Sequence, residues 1–159
     1  MLDGWHDFFV AEVSASAALA GLLFVALSIN IKQIIEISWL PNRAAQSLIV
    51  FMTALLMGAV MLFPGQNAME LVAELGGIIV VSLAVDVPLG FTGGVVDAEY
   101  SRHVHFNIAL NALFYVASFA GIILTYFGNS GITVIAATTL YALCYGMFNA
   151  WVLLVEILR

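Results

Sequence analysis

Charged residues are scarce in this chain. Only 9% of its 159 residues are Asp, Glu, Lys or Arg, and 64% are hydrophobic. Soluble domains carry about 25% charged and about 45–50% apolar residues, and a fold of this size leaves much of its surface exposed. So much apolar surface could not be hidden from water. The composition therefore predicts an integral membrane protein.

Other absences narrow the function. The chain has only four Lys and Arg residues and no basic patch, which excludes nucleic acid as a natural partner. Cys144 is the single cysteine, so no intramolecular disulfide can form. The sequence contains no nucleophile elbow, phosphate loop or zinc motif, and no His cluster has a recognised ligand spacing. We therefore expect no enzyme activity, no cofactor and no metal ion.

Five apolar segments are long enough to cross a bilayer, for which a helix needs roughly 20 residues. The N-terminal segment lacks the positive region of a signal peptide and is expected to be retained as the first span. Residues 128–131 form a tight turn by composition, so the last two spans should be an antiparallel hairpin. We predict an all-α, polytopic membrane helical bundle forming one domain over residues 1–159. Its five transmembrane helices are expected at about 8–31, 44–63, 71–96, 106–127 and 132–158.

The positions of the basic residues predict the orientation. Lys and Arg accumulate in cytoplasmic loops. Five spans place Lys32, Arg43, Arg102 and Arg159 on one side, and the opposite loops contain no basic residue. The N-terminus is therefore predicted outside and the C-terminus in the cytoplasm. The short apolar loop at 32–43 is expected to lie in the plane of the interface.

Polar side chains form stripes along the last two spans. Such side chains are costly in lipid and usually face a bundle interior or a cavity. At 100° per residue, each stripe occupies one helix face, and the two should meet across the hairpin or line one crevice. Asn111 and Asn149 should reach nearly the same depth. The stripes consist of Asn107, Asn111, Ser118 and Thr125 in span four, and Thr138, Tyr141, Tyr145, Asn149 and Glu156 in span five.

Span one carries two different faces. Glu12, Ser16 and Asn30 lie on one side. The opposite side is a stripe of small residues, which lets helix backbones approach closely. We expect span one at the centre of the bundle or at a subunit interface, with a homo-oligomer formed through it. The small-residue stripe comprises Ser14, Ala17, Ala18, Gly21 and Ser28.

Asp86 precedes Pro88 by two residues in span three. Proline removes a backbone hydrogen bond and disfavours helical geometry in the preceding residue, so a kink or break is one interpretation. Discontinuous helices with a carboxylate occur in ion-coupled transporters. The other interpretation is that the span ends near Leu89, which would place Asp86 about one turn from cytoplasmic water. Both remain open.

Glu12 and Glu74 each lie roughly one turn inside the outer end of a span. If they approach one another, like-charge repulsion and desolvation would make a proton or cation site. The alternative is that both reach the headgroup region and are solvated.

Four segments carry a family resemblance. They are 5–11 (WHDFFVA), 21–30 (GLLFVALSIN), 40–45 (LPNRAA) and 149–159 (NAWVLLVEILR). These segments resemble a family of small bacterial five-helix integral membrane proteins with no established activity. The resemblance implies the inner (plasma) membrane of a bacterium. It draws attention to Asn30, Asn149 and Glu156, and does not extend to spans three and four.

Three functions are compatible with these features. The first is a small homo-oligomeric channel or ion or proton pathway, and the alternative is a non-catalytic membrane subunit or modulator of a larger complex. A membrane enzyme using Glu12 and Glu74 on a lipid or quinone ranks last, because no catalytic constellation accompanies the pair. The candidate pathway residues are Glu12, Asn30, Glu74, Asp86, Asn111, Tyr145, Asn149 and Glu156.

Overall fold

A computed structural model describes residues 4–91, 98–128 and 130–157, with the side chains of 91, 98–104 and 156–157 excepted. Regular structure in these residues is entirely helical. Five of the six described helices are long and apolar enough to cross a membrane, which confirms the predicted all-α bundle. The helices are α1 (His6–Ile29), α2 (Ile31–Glu36), α3 (Leu40–Val60), α4 (Ala68–Phe91), α5 (Ala98–Phe127) and α6 (Ser130–Ile157).

Local signals set the ends of α3 and α4. Pro41 lies in the first turn of α3, where its missing N–H costs nothing, so the helix begins four residues before the predicted position. Asn67 and Glu70 form a reciprocal capping box at the start of α4. The Asn67 Oδ1 accepts from the Glu70 N–H at 2.9 Å, and the Glu70 Oε2 accepts from the Asn67 N–H at 3.1 Å. Helix α4 therefore begins at Ala68 rather than at 71.

Helix α4 runs through Pro88 to Phe91. The interpretation that the span breaks at this proline is therefore wrong, and a kink there stays a prediction. Proline removes only one backbone donor, and the helix continues for three residues beyond it. The interpretation that the span stops near Leu89 depends on the residues that follow and stays open. Residues 92–96 of the predicted span lie outside the described residues.

The segment between the first two spans contains the short helix α2. Asn30 ends α1, and its Nδ2 donates to the Ala26 carbonyl at 2.8 Å. Ile34 of α2 is buried in a small apolar cluster with Leu40 and Leu153. This connection is therefore held against the bundle by apolar packing.

Helix α3 is the central helix of the bundle. It packs against α1, α4 and α6, and 56% of its most apolar stretch is buried, compared with 22% for α1. Helix α1 packs mainly against α3, so the prediction of a central first span is wrong. Small residues such as Ala54 and Gly58 let neighbouring helices approach α3 on several sides.

The small-residue stripe of α1 faces away from the bundle. Its five members are all exposed, and a Cβ on Gly21 would meet no atom within 4 Å. The hydroxyls of Ser14 and Ser28 donate to carbonyls of the same helix. Within the described residues this face is therefore not used for packing, and the prediction of a subunit interface there stays a prediction.

Helices α5 and α6 form the predicted antiparallel hairpin. Near the turn, a Cβ on Gly131 would overlap the backbone nitrogen of Thr125, so the two backbones touch. Farther from the turn, Tyr145 contacts Asn107. This register brings the polar faces of the two helices together.

Candidate functional site

The stripes of α5 and α6 meet through two tyrosines. The Tyr141 hydroxyl donates to the Leu110 carbonyl at 2.9 Å. The Tyr145 hydroxyl lies 2.9 Å from the Asn107 Oδ1, and the two tyrosine rings stack with centroids 6.0 Å apart. The prediction that the stripes meet across the hairpin is confirmed at this level.

Asn111 and Asn149, which were predicted at nearly the same depth, contact different helices. Asn111 donates from Nδ2 to the Oδ2 of Asp86 on α4. Asn149 is buried, and its Oδ1 accepts from the Arg43 Nη2 on α3 at 3.5 Å. Asn111 and Asn149 thus belong to two separate helix interfaces rather than one common crevice.

The hydroxyls along the stripes are satisfied within their own helices. Ser118, Thr125 and Thr138 each donate to the carbonyl four residues earlier, at 2.7–2.8 Å. Such bonds return the hydroxyl to its own backbone and leave no donor free to face a pathway. These three residues therefore serve packing.

Asp86 is the most deeply buried carboxylate among the described residues, with 1% of its surface exposed. It lies on α4 between α3 and α5. In addition to the bond from Asn111, the Gln46 Nε2 on α3 donates to the Asp86 backbone carbonyl at 3.4 Å. Three helices therefore enclose the Asp86 side chain, and the interpretation that it lies about one turn from cytoplasmic water stays open.

Three buried polar atoms around Asp86 have no hydrogen-bond partner in the described part of the chain. They are the Asp86 Oδ1, the Asn111 Oδ1 and the Tyr115 hydroxyl oxygen. Buried polar atoms are nearly always paired, so three orphans in adjacent side chains require an explanation. When Asp86 is ionised, two of them can only accept a hydrogen bond, and the Tyr115 hydroxyl, which lies close enough to interact with the Asp86 carboxylate, is the single donor among the three. The cluster is therefore one donor short.

A cavity of about 390 Å³ adjoins these side chains. Apart from Asp86, Asn111, Tyr115 and Gln46, its lining is apolar. Val116, which is 65% exposed on the outer surface, belongs to the lining, as do the exposed Val87 and Ile108. The cavity therefore opens sideways between α4 and α5, towards the surface that lipid would cover. Its lining is Gln46, Leu83, Asp86, Val87, Gly90, Ile108, Asn111, Ala112, Tyr115, Val116 and Phe119.

Glu12 is a second buried carboxylate, 3% exposed, at the opposite end of α3. Its Oε1 accepts from the Ser16 hydroxyl at 2.7 Å, and its Oε2 has no partner. The carboxylate lies against Gly58 of α3. Gly58 and Gln46 are roughly 18 Å apart along that helix, so Glu12 and Asp86 are separate sites.

Glu74 does not join Glu12. Its side chain is exposed, and its Oε2 accepts from the Gln66 Nε2 in the preceding loop. Leu71 and Leu75 take the inward face of α4, which turns Glu74 outwards. The two carboxylates therefore do not form the conditional pair, and the lipid or quinone chemistry that required it loses its basis. The alternative that both are solvated agrees with the exposed Glu74 and is wrong for the buried Glu12.

Asn30 and Glu156 are the two remaining candidate pathway residues. Asn30 caps the C-terminal end of α1, where its side chain bonds to the carbonyl of Ala26. This bond stays within α1 and does not connect Asn30 to Asp86. The side chain of Glu156 lies outside the described residues. Among the residues that can be described, no group of three His, Cys, Asp or Glu side chains lies close enough to hold a metal ion.

The sequence analysis missed Gln46 and Tyr115. Tyr115 lies one turn after Asn111 on the same helix face, which is a signal that periodicity could have used. Gln46 is the only amide in the span predicted at 44–63, and its significance depends on α3 being central.

Comparisons with families of known proteins, with curated proteins and with solved structures gave no match.

Proposed function

We propose that the chain is a small membrane transport protein in which Asp86 is the carboxylate of a proton or cation pathway. The observation that supports it is the combination at Asp86: a nearly fully buried side chain, an unpartnered oxygen and an adjacent cavity. A charged carboxylate away from water is stable only when it is paired, and otherwise takes up a proton. Ionisable residues in spans commonly mark such pathways.

The pathway is built by a homo-oligomer in this proposal. The described residues of one chain contain two separate buried carboxylates and five helices long enough to span a membrane, so further helices are needed to enclose a continuous path. The exposed small-residue stripe of α1 supplies a face on which a second copy can pack closely. Replacing Gly21 by Leu should then lower the oligomer number while leaving the helical content unchanged, because a Cβ added there meets no described atom within 4 Å.

The location of the protein forms part of the same proposal. The resemblance of the terminal segments supports the inner membrane of a bacterium, and the basic residues support an external N-terminus and a cytoplasmic C-terminus. In that orientation Asp86, which lies near the end of α4, is closer to the cytoplasmic side.

Proton flux into liposomes tests the role of Asp86. Purified protein is reconstituted with an internal pH dye, and a potassium diffusion potential drives protons inwards. We expect uptake well above that of empty liposomes, with a large reduction in Asp86→Asn. Glu74→Gln is the matched control, because it removes an exposed carboxylate from the same helix that plays no part in the proposed pathway. Glu12→Gln tests whether the second buried carboxylate contributes.

Equal flux in Asp86→Asn and wild type, from protein with native helical content, would contradict the proposal. Absence of flux from folded wild-type protein under any gradient would also contradict it.

A second candidate is a non-catalytic membrane subunit or modulator of a larger complex. The specific observation in its favour is the same exposed stripe on α1, which suits a helix of another protein as well as a second copy. Purification from native membranes distinguishes the two. One different protein at constant stoichiometry supports the subunit, and copies of this chain alone support the homo-oligomer.

A further inference from the structure

The cavity at Asp86 combines apolar walls with a polar floor. Leu83, Val87, Val116 and Phe119 contribute side chains without polar atoms. The polar atoms belong to Asp86, Asn111, Tyr115 and Gln46. A ligand that fits this arrangement has an apolar body and one polar end.

The unpartnered atoms at the floor specify the polar end. With Asp86 ionised, the Asp86 Oδ1 and the Asn111 Oδ1 are two acceptors without a partner, and the Tyr115 hydroxyl beside them can donate to only one of the two. An ammonium group supplies three N–H donors and a positive charge opposite the carboxylate. A neutral alcohol supplies one donor and no charge, and an anion supplies neither.

The cationic residues that the structure describes do not line this cavity. Among the described residues, the cavity lining contains no Lys, Arg or His. Arg43, on the central helix, is directed to Asn149 at the α3–α6 interface. The same absence argues against a zwitterionic phospholipid headgroup, because its phosphate would have no cation beside it in this lining.

The position of the opening specifies the route of entry. Val116 and Val87 form part of both the cavity wall and the outer surface of the bundle. A ligand dissolved in the bilayer can therefore reach Asp86 sideways between α4 and α5, without passing through the protein from water.

We propose that the cavity between α3, α4 and α5 binds protonated lipophilic amines from the bilayer, with the ammonium group on Asp86 and Asn111 and the apolar chain along Val87, Val116 and Phe119. This inference rests on the proposed function, since it names the substrate class of the same carboxylate. An alkylamine, like a lysine side chain, is protonated at neutral pH. Exchange of a proton for the amine at Asp86 would couple the two fluxes.

Calorimetric titration of decylamine tests the binding. The protein is held in phosphatidylcholine nanodiscs, and the heat of amine partitioning into empty nanodiscs is subtracted. We expect saturable binding of decylamine, and at least about tenfold weaker binding of decanol, which has the same chain without the charge. Decyltrimethylammonium, a cation without N–H donors, separates charge from hydrogen bonding and should bind less tightly than decylamine.

Two variants locate the site. Asp86→Asn keeps the shape of the side chain and should weaken decylamine binding by at least about tenfold. Val116→Phe fills the cavity from its exposed rim without touching the carboxylate, and should also weaken binding. Val81→Phe is the matched control, because Val81 is equally exposed on α4 and does not line the cavity.

The outcomes separate this inference from the proposed function. Decylamine binding equal to that of decanol, or unchanged in both Asp86→Asn and Val116→Phe, overturns the amine site even where proton flux depends on Asp86. Saturable binding that needs Asp86, in a protein without proton flux, upholds the amine site and overturns the proton pathway. If Asp86→Asn does not fold, the amine site is tested by comparing decylamine binding to Val116→Phe with binding to Val81→Phe. Equal binding to these two variants overturns the amine site.

Discussion

The carboxylate of Glu12 on α1 occupies the space that a side chain at Gly58 of α3 would need. A Cβ at position 58 would overlap the Glu12 Oε2 and would lie 2.8 Å from the Val13 Cγ2. The absence of a side chain at Gly58 therefore lets α1 approach the central helix and bury Glu12.

Gly58→Ala should destabilise the bundle by about 1–3 kcal/mol, because the added methyl group must push α1 away from α3. The free energy of unfolding, measured by denaturant titration in detergent micelles, tests this. Gly21→Ala is the control. It adds the same methyl group on the outer face of a spanning helix, where nothing lies within 4 Å, and should not destabilise the protein.

Combining the change with Glu12→Ala shows whether the carboxylate is the obstacle. Gly58→Ala should cost less in the Glu12→Ala background than in the wild type, with the Val13 contact as the remaining part. Equal costs in both backgrounds would contradict the contact between Glu12 and Gly58.

Asn111→Ala should destabilise the protein by about 1–3 kcal/mol, because it leaves the Asp86 carboxylate buried without its side-chain donor. Removing both partners together is milder than leaving one unpaired. The double variant Asp86→Ala with Asn111→Ala should therefore lose less stability than the two single variants combined. Ser118→Ala serves as a control on the same helix, since its hydroxyl bonds only to its own backbone. Strict additivity would show that Asp86 and Asn111 are not coupled.

The sequence predicted the five spans because each is a continuous apolar run, and the polar stripes of α5 and α6 because a short turn fixes their register. It did not predict which helix is central. The burial of α3 depends on how the other helices pack around it. The role of Gly58, which lets Glu12 approach α3, becomes visible only when the contact between these two residues is known. The exposed stripe on α1 illustrates the same limit, since small residues favour close packing without specifying a partner.

The candidate site was only half predicted for a related reason. Asp86 and Asn111 stand out because a carboxylate and an amide are costly in a span. Their contact joins α4 to α5. The segment between these two helices does not fix how they align, so the sequence pattern could predict neither the contact nor the cavity beside it. Pro88 indicated a break by its general effect on helices, yet the loss of one backbone donor does not interrupt α4 in the described residues.

Tyr145→Phe removes the hydroxyl that bonds to Asn107 across the hairpin. Hydrogen bonds between membrane helices contribute about 0.6 kcal/mol on average and about 1.7 kcal/mol at most, so we expect a loss of stability in that range. Tyr126→Phe is the control, because this tyrosine is exposed on α5. Equal stability of the Tyr145→Phe and Tyr126→Phe variants would show that the bond to Asn107 contributes nothing measurable.

The orientation of the chain is tested by single cysteines on opposite sides of the bundle. Cys144 is exposed and must first be replaced by Ser. Gln33, on the exposed face of α2, is predicted on the cytoplasmic side, and Ser130, at the start of α6, is predicted outside. In intact cells, a membrane-impermeant maleimide should label Ser130→Cys, and it should label Gln33→Cys only after permeabilisation. The reverse pattern would invert the orientation and place the Asp86 cavity nearer the outer surface. Labelling of both positions in intact cells would contradict the five-span topology itself, because an odd number of crossings separates them.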